Sequence, residues 1–212
     1  MAKLLAQAIS LTGLSRSFKY LEIQPLRFPD VPQGGITEIF GSESSGRTSA
    51  MHGVLSTATS GGGVCAIVDT CSAFDPSSAE RAGVELGKLL WVQCERRLDR
   101  ALKSADLILH AGGFAVVVLD LCGVDAAELQ RIPGSYWYRF QRTVENTSTV
   151  FAVLGRQPLA RACAARQVDL VQPQLHWRGQ RPFHVLSGVK FEARLRKPVT
   201  SEVWLIETVA EG

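Results

Sequence analysis

The chain has 212 residues, of which 46% are hydrophobic and 20% are charged, and its formal net charge at neutral pH is +3. These values are typical of an ordinary soluble globular protein with one substantial core, in one or two domains. The apolar N-terminus is too short and too polar for a transmembrane span or a cleaved signal, and five cysteines without CxxC spacing favour reduced cytosolic thiols over disulfides or zinc.

The first 32 residues differ in character from the rest of the chain. Leu4, Leu5, Ala8, Ile9 and Leu11 form an apolar stripe, which predicts a short helix over residues 1–12. Prolines 25, 29 and 32 then predict an extended segment over residues 18–33. We therefore expect an N-terminal helix and linker over 1–32, followed by a single core domain over 33–212.

The stretch around which the chain is organised follows directly. A short apolar strand, Ile36–Phe40, leads into a glycine-bounded loop and then into a helix, and the residues of the loop and first turn are Gly41, Ser42, Glu43, Ser44, Ser45, Gly46, Arg47, Thr48 and Ser49. The spacing fits the phosphate-loop pattern G-x-x-x-x-G-K-[ST], except that Arg47 stands where the pattern has lysine. Backbone N–H groups of such a loop converge on an anion, so the stretch predicts a phosphate-binding site.

Strands and helices alternate after the loop. Val64–Asp69 and Phe114–Asp120 are continuous apolar runs, each ending in an aspartate, as buried parallel strands do. Further strands are expected over Leu89–Val92 and Thr149–Leu154, and helices over the segments 98–110 and 135–146, with another that opens at the N-cap Asp75 followed by Pro76. This alternation predicts an α/β fold with a mostly parallel sheet flanked by helices. Asp120 is the better candidate of the two aspartates for Mg²⁺, together with Thr48, because it ends the strongest strand.

The C-terminal part changes character in strand pattern and in charge. Gln167–Trp177, Val185–Lys197 and Glu202–Thr208 predict successive antiparallel strands at one side of the sheet. Between Arg156 and Lys197 there are nine basic residues and two acidic ones, whereas the preceding 155 residues carry fourteen basic and fifteen acidic ones. Such a distribution is typical of a polyanion-binding surface, although a solvated basic face has the same composition.

At this point the chain resembles the core of the RecA recombinase family. The Gly41–Thr48 loop is similar to that family's Gly-Pro-Glu-Ser-Ser-Gly-Lys-Thr, Val68–Pro76 is similar to its Ile-Asp-Ala-Glu-His-Ala-Leu-Asp-Pro, and Val116–Asp120 is similar to its Mg²⁺-associated strand. The resemblance covers about residues 33–200 and implies a RecA-like P-loop fold. The short length and the basic tail look most like the ImuA group, the RecA-like proteins of bacterial mutagenic repair cassettes.

The resemblance also assigns roles. It implies that ATP or ADP with Mg²⁺ could bind the loop, with Asp75 near the adenine, and that Arg156, Arg161 and Arg166 lie where recombinases place a second DNA-binding loop. Their spacing of five puts these arginines on different helical faces, so a single phosphate stripe does not follow. Arg194, Arg196 and Lys197 resemble basic residues that reach a neighbouring subunit's nucleotide, and Tyr136–Tyr138 could stack on bases or pack internally.

Four departures from the family pattern concern catalysis. Cys71 stands where recombinases have the glutamate that activates the attacking water, and a thiol is poorly suited to that role. Val153 and Leu154 replace polar residues that include the phosphate-sensing glutamine, and Ser78 replaces a stacking aromatic. The planar guanidinium of Arg47 matches the lysine position poorly.

Three functional hypotheses follow. The first is a cytoplasmic, nucleoid-associated accessory protein in DNA damage tolerance and SOS mutagenesis, which binds single-stranded DNA, RecA or an ImuB-type polymerase-like partner, not a membrane, and hydrolyses little or no ATP. The second is an active DNA-dependent ATPase in which Glu43 or Glu80 activates water. The third is a scaffold of RecA fold that binds no nucleotide.

Overall fold

The computed structural model describes residues 31–179, 185–197 and 203–209. These residues form a single sheet of eight strands with helices against it. The strands are β1 (Gly35–Gly41), β2 (Cys65–Asp69), β3 (Leu89–Gln93), β4 (Val116–Asp120), β5 (Val150–Gly155), β6 (Ala164–Arg178), β7 (Val185–Lys197) and β8 (Val203–Val209). The helices are α1 (Arg47–Ser60), α2 (Pro76–Arg81), α3 (Leu98–Ala111), α4 (Ala126–Gln130) and α5 (Gly134–Val144).

The strand order across the sheet is β3-β2-β4-β5-β1-β6-β7-β8. Neighbouring strands from β3 through β6 run parallel, whereas β7 and β8 are antiparallel additions at one edge. This arrangement confirms the predicted α/β fold with a mostly parallel sheet and C-terminal antiparallel strands. It also brings the carboxyl ends of β1, β2, β4 and β5 to one edge of the sheet.

The centre of the sheet is buried on both faces. In β4, Val117 and Leu119 belong to a hydrophobic cluster that includes α3 and α5, and Val116 and Val118 belong to a second cluster with α1 and α2. Alternate side chains of one strand therefore pack on opposite helical layers, which is why the run reads as continuously apolar. A smaller third cluster joins α1 to β1, β6 and β7.

Three features differ from the sequence-based expectations. The segment after β5 contains a short 3₁₀ turn, Arg161–Cys163, and then enters β6 at Ala164, three residues before the predicted strand start. The short helix α4 was not expected, although Asp125 caps it by accepting from the backbone N–H of Ala127. The expected helix over residues 1–12 lies outside the described residues, so the division at residue 32 stays a prediction.

Candidate functional site at the carboxyl edge of the sheet

The phosphate loop has the backbone geometry that its two glycines allow. A Cβ at Gly41 would overlap the carbonyl oxygen of Leu170 and lie 2.6 Å from Ser45 Oγ, so only glycine fits between β6 and the loop. Gly46 precedes α1 with a φ of 93°, in the left-handed region that favours glycine. The hydroxyl of Ser45 is buried without a hydrogen-bond partner, whereas Ser42, Glu43 and Ser44 are exposed. Together these residues form a loop that opens towards solvent at the start of a 14-residue helix.

Two arginines tie this loop to the end of β5. The side chain of Arg47 donates a hydrogen bond from Nη1 to the backbone oxygen of Gly155 at 2.9 Å. Next to it, Arg156 forms an ion pair with Glu43 inside the loop. Both members of that pair are more than half exposed, so it contributes little to stability, but it joins the loop to the segment predicted to bind DNA. Thr48 and Ser49 lie exposed on the first turn of α1.

Asp120 ends β4 beside β5, close to the arginine of the loop. Its Oδ1 accepts a hydrogen bond from the backbone N–H of Cys122 at 2.9 Å. Burial raises the pKa of the Asp120 carboxyl, and the charge of Arg47 acts in the opposite direction. Burial likewise raises the pKa of the Cys122 thiol, with Asp120 adding to the effect. The carboxylate is thus a partly shielded anion at the predicted position.

Asp69 ends β2 directly opposite Asp120 in the strand register, but its environment is different. The residue is completely buried. Its carboxylate accepts hydrogen bonds from the backbone N–H groups of Ala73 and Phe74, both at 3.0 Å, and from Nε1 of Trp91 at 3.2 Å. A carboxylate with these three partners holds the turn after β2 and the adjacent edge strand β3 in place.

Cys71 lies on that turn, facing the segment that follows β4. A Cβ at Gly123 would lie 2.7 Å from Cys71 Sγ and 2.9 Å from Cys71 Cβ, so the cysteine packs directly against the glycine backbone. Burial is the main cause that raises the pKa of this thiol; Arg96 lowers it, and Asp120 and Asp69 raise it further. A protonated thiol at neutral pH cannot accept a proton from water.

Asp75 acts in the structure as the N-cap of α2. Its carboxylate accepts from the backbone N–H groups of Ser77 and Ser78 and from the hydroxyl of Ser78, and these contacts lower its pKa, with the Ser78 hydroxyl as the largest cause. The N-cap prediction is therefore confirmed, while the predicted contact with adenine stays a prediction. His52 of α1 is buried near Asp75 and packs edge-on against Phe74 at a centroid distance of 6.1 Å.

The three arginines predicted to bind DNA do not share one surface level. Arg156 follows the end of β5, Arg161 lies in the 3₁₀ turn, and Arg166 lies in β6 opposite Thr37, near the start of β1. Three residues separate Thr37 from Phe40, the partner of Gly155, which corresponds to about 10 Å along a strand. Arg156 and Arg161 are exposed, whereas Nε of Arg166 is buried without a hydrogen-bond partner.

The other predicted contacts are engaged within the fold. Arg194 pairs with Glu192, Arg196 pairs with Asp169 at 2.7 Å, and Lys197 donates from Nζ to the backbone oxygen of Ala162 at 2.8 Å. In the aromatic cluster, Trp137 is buried in the core between α5 and the sheet, whereas Tyr138 is 60% exposed. Packing therefore accounts for Trp137, and Tyr138 presents the ring that remains accessible.

Two functional features were missed by the sequence reasoning. Glu38 is 2% exposed in the middle of β1, and its carboxylate accepts from the backbone N–H groups of Leu159 and Ala160 and from Nε2 of Gln167 at 2.7 Å. An acid inside an apolar strand was the signal that could have revealed this anchor of the segment after β5. The second feature is the part of β6 beyond Leu170, the last residue paired with β1, where Leu175 and Trp177 are more than half exposed.

The residues at this edge fit an anion better than they fit a metal ion. The loop offers backbone N–H groups and a helix start, which suit phosphate oxygens. By contrast, the part of the chain that the structure describes contains no group of three or more His, Cys, Asp or Glu side chains arranged to hold a metal. In the same part, no helix is long and apolar enough to cross a bilayer.

Comparison with known proteins gives the same family from three directions. Protein RecA of Chlorobium chlorochromatii is 38% identical over 131 residues, which is 61% of this chain and 35% of that protein. Protein RecA of Methylococcus capsulatus is 44% identical over 90 residues, which is 42% of this chain and 26% of that protein. The matched region thus spans about a third or less of these curated relatives.

The fold is also similar to a crystal structure of the RadB recombinase. That comparison has a TM-score of 0.56 and covers 82% of this chain and 86% of that chain, at 16% sequence identity, so it establishes the shared fold alone. The family model for the RecA N-terminal domain matches residues 14–131, which is more than half of the chain. The chain belongs to the RecA N-terminal domain family.

Proposed function

We propose that this protein is a RecA-like accessory protein of DNA damage tolerance, most like the ImuA group. In this proposal it works in the cytoplasm at the nucleoid, hydrolyses little or no ATP, and acts by binding single-stranded DNA together with RecA or an ImuB-type polymerase-like protein. The phosphate loop retains its shape, and the departures lie in the groups around it.

The observation that carries the proposal is the chemistry next to Asp120. The side chain that approaches from the end of β2 is the Cys71 thiol, whose pKa is raised mainly by burial, where the resemblance implies an acid. Asp69 cannot substitute for that acid, because its carboxylate is fully buried and holds Ala73, Phe74 and Trp91. A site without an available base has no efficient way to activate water.

The two acids considered for an active ATPase have other surroundings. Glu43 is paired with Arg156, and Glu80 is exposed on α2. Neither observation favours catalysis, so the active ATPase is the weaker candidate. The nucleotide-free scaffold is favoured by one observation, namely that Arg47 already has a protein partner in the Gly155 carbonyl.

Phosphate release from ATP, with and without single-stranded DNA, tests the first hypothesis. We expect a rate close to background and no stimulation by DNA, and Asp120→Ala should leave that rate unchanged. DNA-stimulated turnover that Asp120→Ala abolishes would establish an active ATPase instead. The scaffold is tested by melting, because a ligand at about one hundred times its dissociation constant stabilises a protein by about 2.7 kcal/mol. No shift with either ADP or ATP would favour it.

The DNA and partner interactions need separate measurements. Arg161 is exposed, so Arg161→Ala should weaken single-stranded DNA binding and reduce its salt dependence, as loss of one phosphate contact does. Arg100→Ala, on α3, is the matched control at an exposed arginine distant in sequence from the loop. Pull-down with purified RecA and with an ImuB-type protein distinguishes the partners. An absence of binding to DNA and to both proteins would contradict the proposed role.

A further inference from the structure

We propose that the phosphate loop binds nucleotide phosphates without Mg²⁺, because the Arg47 guanidinium supplies the positive charge that a metal ion would bring. The inference rests on the proposed function in one respect, since it assumes that the loop still holds a nucleotide. It adds a specific property, namely that binding is independent of divalent cations.

The first step is the position of the guanidinium. Arg47 is the first residue of α1, and its half-buried side chain reaches the last residue of β5, where Nη1 donates to the Gly155 oxygen at 2.9 Å. Because β5 lies between β1 and β4, this contact carries the charge from the loop towards the end of β4. The guanidinium is thus held over the strand ends and not extended along α1.

The second step is the field that this charge creates. Arg47 lowers the pKa of both the Asp120 carboxyl and the Cys122 thiol, the two titratable groups that follow one another at the end of β4. Asp69, at the facing end of β2, acts on Asp120 in the opposite sense. Asp120 is therefore the anion that Arg47 partly neutralises, and a divalent cation at the same carboxylate would be repelled by the guanidinium.

The third step concerns the ligands that a metal would need. One oxygen of Asp120 already accepts the N–H of Cys122, and Thr48 lies exposed at the start of α1. Mg²⁺ demands near-octahedral oxygen ligands and keeps several waters. Since the described residues gather no cluster of acidic, histidine or cysteine ligands here, Asp120 and Thr48 make a poor Mg²⁺ site beside a fixed cation.

The fourth step is the capacity that remains for an anion. A guanidinium has five N–H donors, and the bond to Gly155 uses one of them. The loop adds the backbone N–H groups at the start of α1 and the buried hydroxyl of Ser45, which has no partner in the structure. Arginine binds phosphate through a planar fork, so the loop and Arg47 can contact a polyphosphate from two sides.

The test is the affinity for ADP and ATP by calorimetry, in Mg²⁺ and in EDTA. We expect the wild-type affinities in the two conditions to agree within about twofold. Arg47→Lys, which restores the ordinary residue of the motif, should bind at least about tenfold more tightly with Mg²⁺ than with EDTA. Arg100→Lys, on α3, is the matched control and should behave as the wild type does.

A direct count of metal keeps the inference falsifiable if Arg47→Lys fails to fold. Wild-type protein saturated with nucleotide in Mn²⁺ is desalted rapidly, and Mn²⁺ is measured by electron paramagnetic resonance after acid release. We expect retained nucleotide without equimolar Mn²⁺. Equimolar Mn²⁺, a requirement for Mg²⁺, or no nucleotide binding in either condition would each overturn the inference. A metal requirement without ATP turnover would overturn it and leave the proposed accessory role standing.

Discussion

The ends of β2 and β4 are two regions with the same local sequence pattern and different functions. Each is an apolar strand that ends in an aspartate, and the two aspartates are partners in the parallel register. Asp69 is fully buried and shares its oxygens among Ala73, Phe74 and Trp91. Asp120 has one backbone partner and faces Arg47. The difference teaches that an aspartate at a strand end is structural or functional according to how many of its lone pairs the fold already uses.

The largest expected effect separates the two aspartates by stability. Asp69→Ala leaves the buried N–H groups of Ala73 and Phe74 without partners, so we expect a loss of about 3–5 kcal/mol in the free energy of unfolding. Asp120→Ala should cost less than about 1.5 kcal/mol, because a single backbone hydrogen bond is lost. Urea unfolding of both variants measures the difference, and equal losses would contradict the comparison.

A second test joins the two regions through Cys71 and Gly123. Gly123→Ala would place a methyl group 2.7 Å from Cys71 Sγ, and such overpacking typically costs about 1–3 kcal/mol. Adding Cys71→Gly removes both atoms that the new methyl meets, so the double variant should recover most of that loss. A double-mutant cycle by chemical denaturation gives the coupling. Additive losses would mean that the two segments do not pack together.

The third test uses pH and concerns Asp120 alone. Burial raises the pKa of this carboxyl above the ordinary value of 3.8, so its ionisation is less favourable in the folded than in the unfolded state. Stability is therefore lost as the pH rises from about 3.8 through the folded pKa. Asp120→Asn keeps an acceptor for Cys122 and cannot ionise, so its stability relative to wild type should increase over that window and level off above it.

The relevant measurement is the unfolding free energy of wild type and Asp120→Asn at a series of pH values. Lys is unsuitable as the replacement because it adds charge beside Arg47, whereas Asn changes only the ionisation. A constant difference between the two proteins across the acidic range would show that Asp120 titrates normally in the folded state.

The smallest effect is expected at the loop itself. Glu43 and Arg156 form an ion pair whose members are 73% and 59% exposed, and such pairs contribute at most about 1 kcal/mol. Glu43→Gln should therefore leave the unfolding free energy nearly unchanged at physiological salt. A loss comparable to that of Asp69→Ala, measured under the same conditions, would mean that the loop depends on this pair for its shape.

Much of the fold followed from local patterns. The apolar runs that became β2, β4 and β5, the cap of α2 by Asp75, and the late strands β6 to β8 all lie within a few residues of their predicted bounds. The phosphate loop was equally predictable, because Gly41 and Gly46 fix its backbone whatever surrounds it. These features depend on periodicity, capping and turn geometry, which residues close in the chain determine.

The tertiary structure alone decided the roles of the charged groups. Arg47 meets Gly155, 108 residues away, and Glu38 holds Leu159 and Ala160, more than 120 residues away. The same sequence pattern ends β2 and β4, yet only packing closes Asp69 and leaves Asp120 beside a guanidinium. Burial and hydrogen-bond partners come from residues distant in the chain, and no local signal in one sequence encodes them. The sequence therefore determined the shape of the phosphate loop, and the fold determined which charges face it.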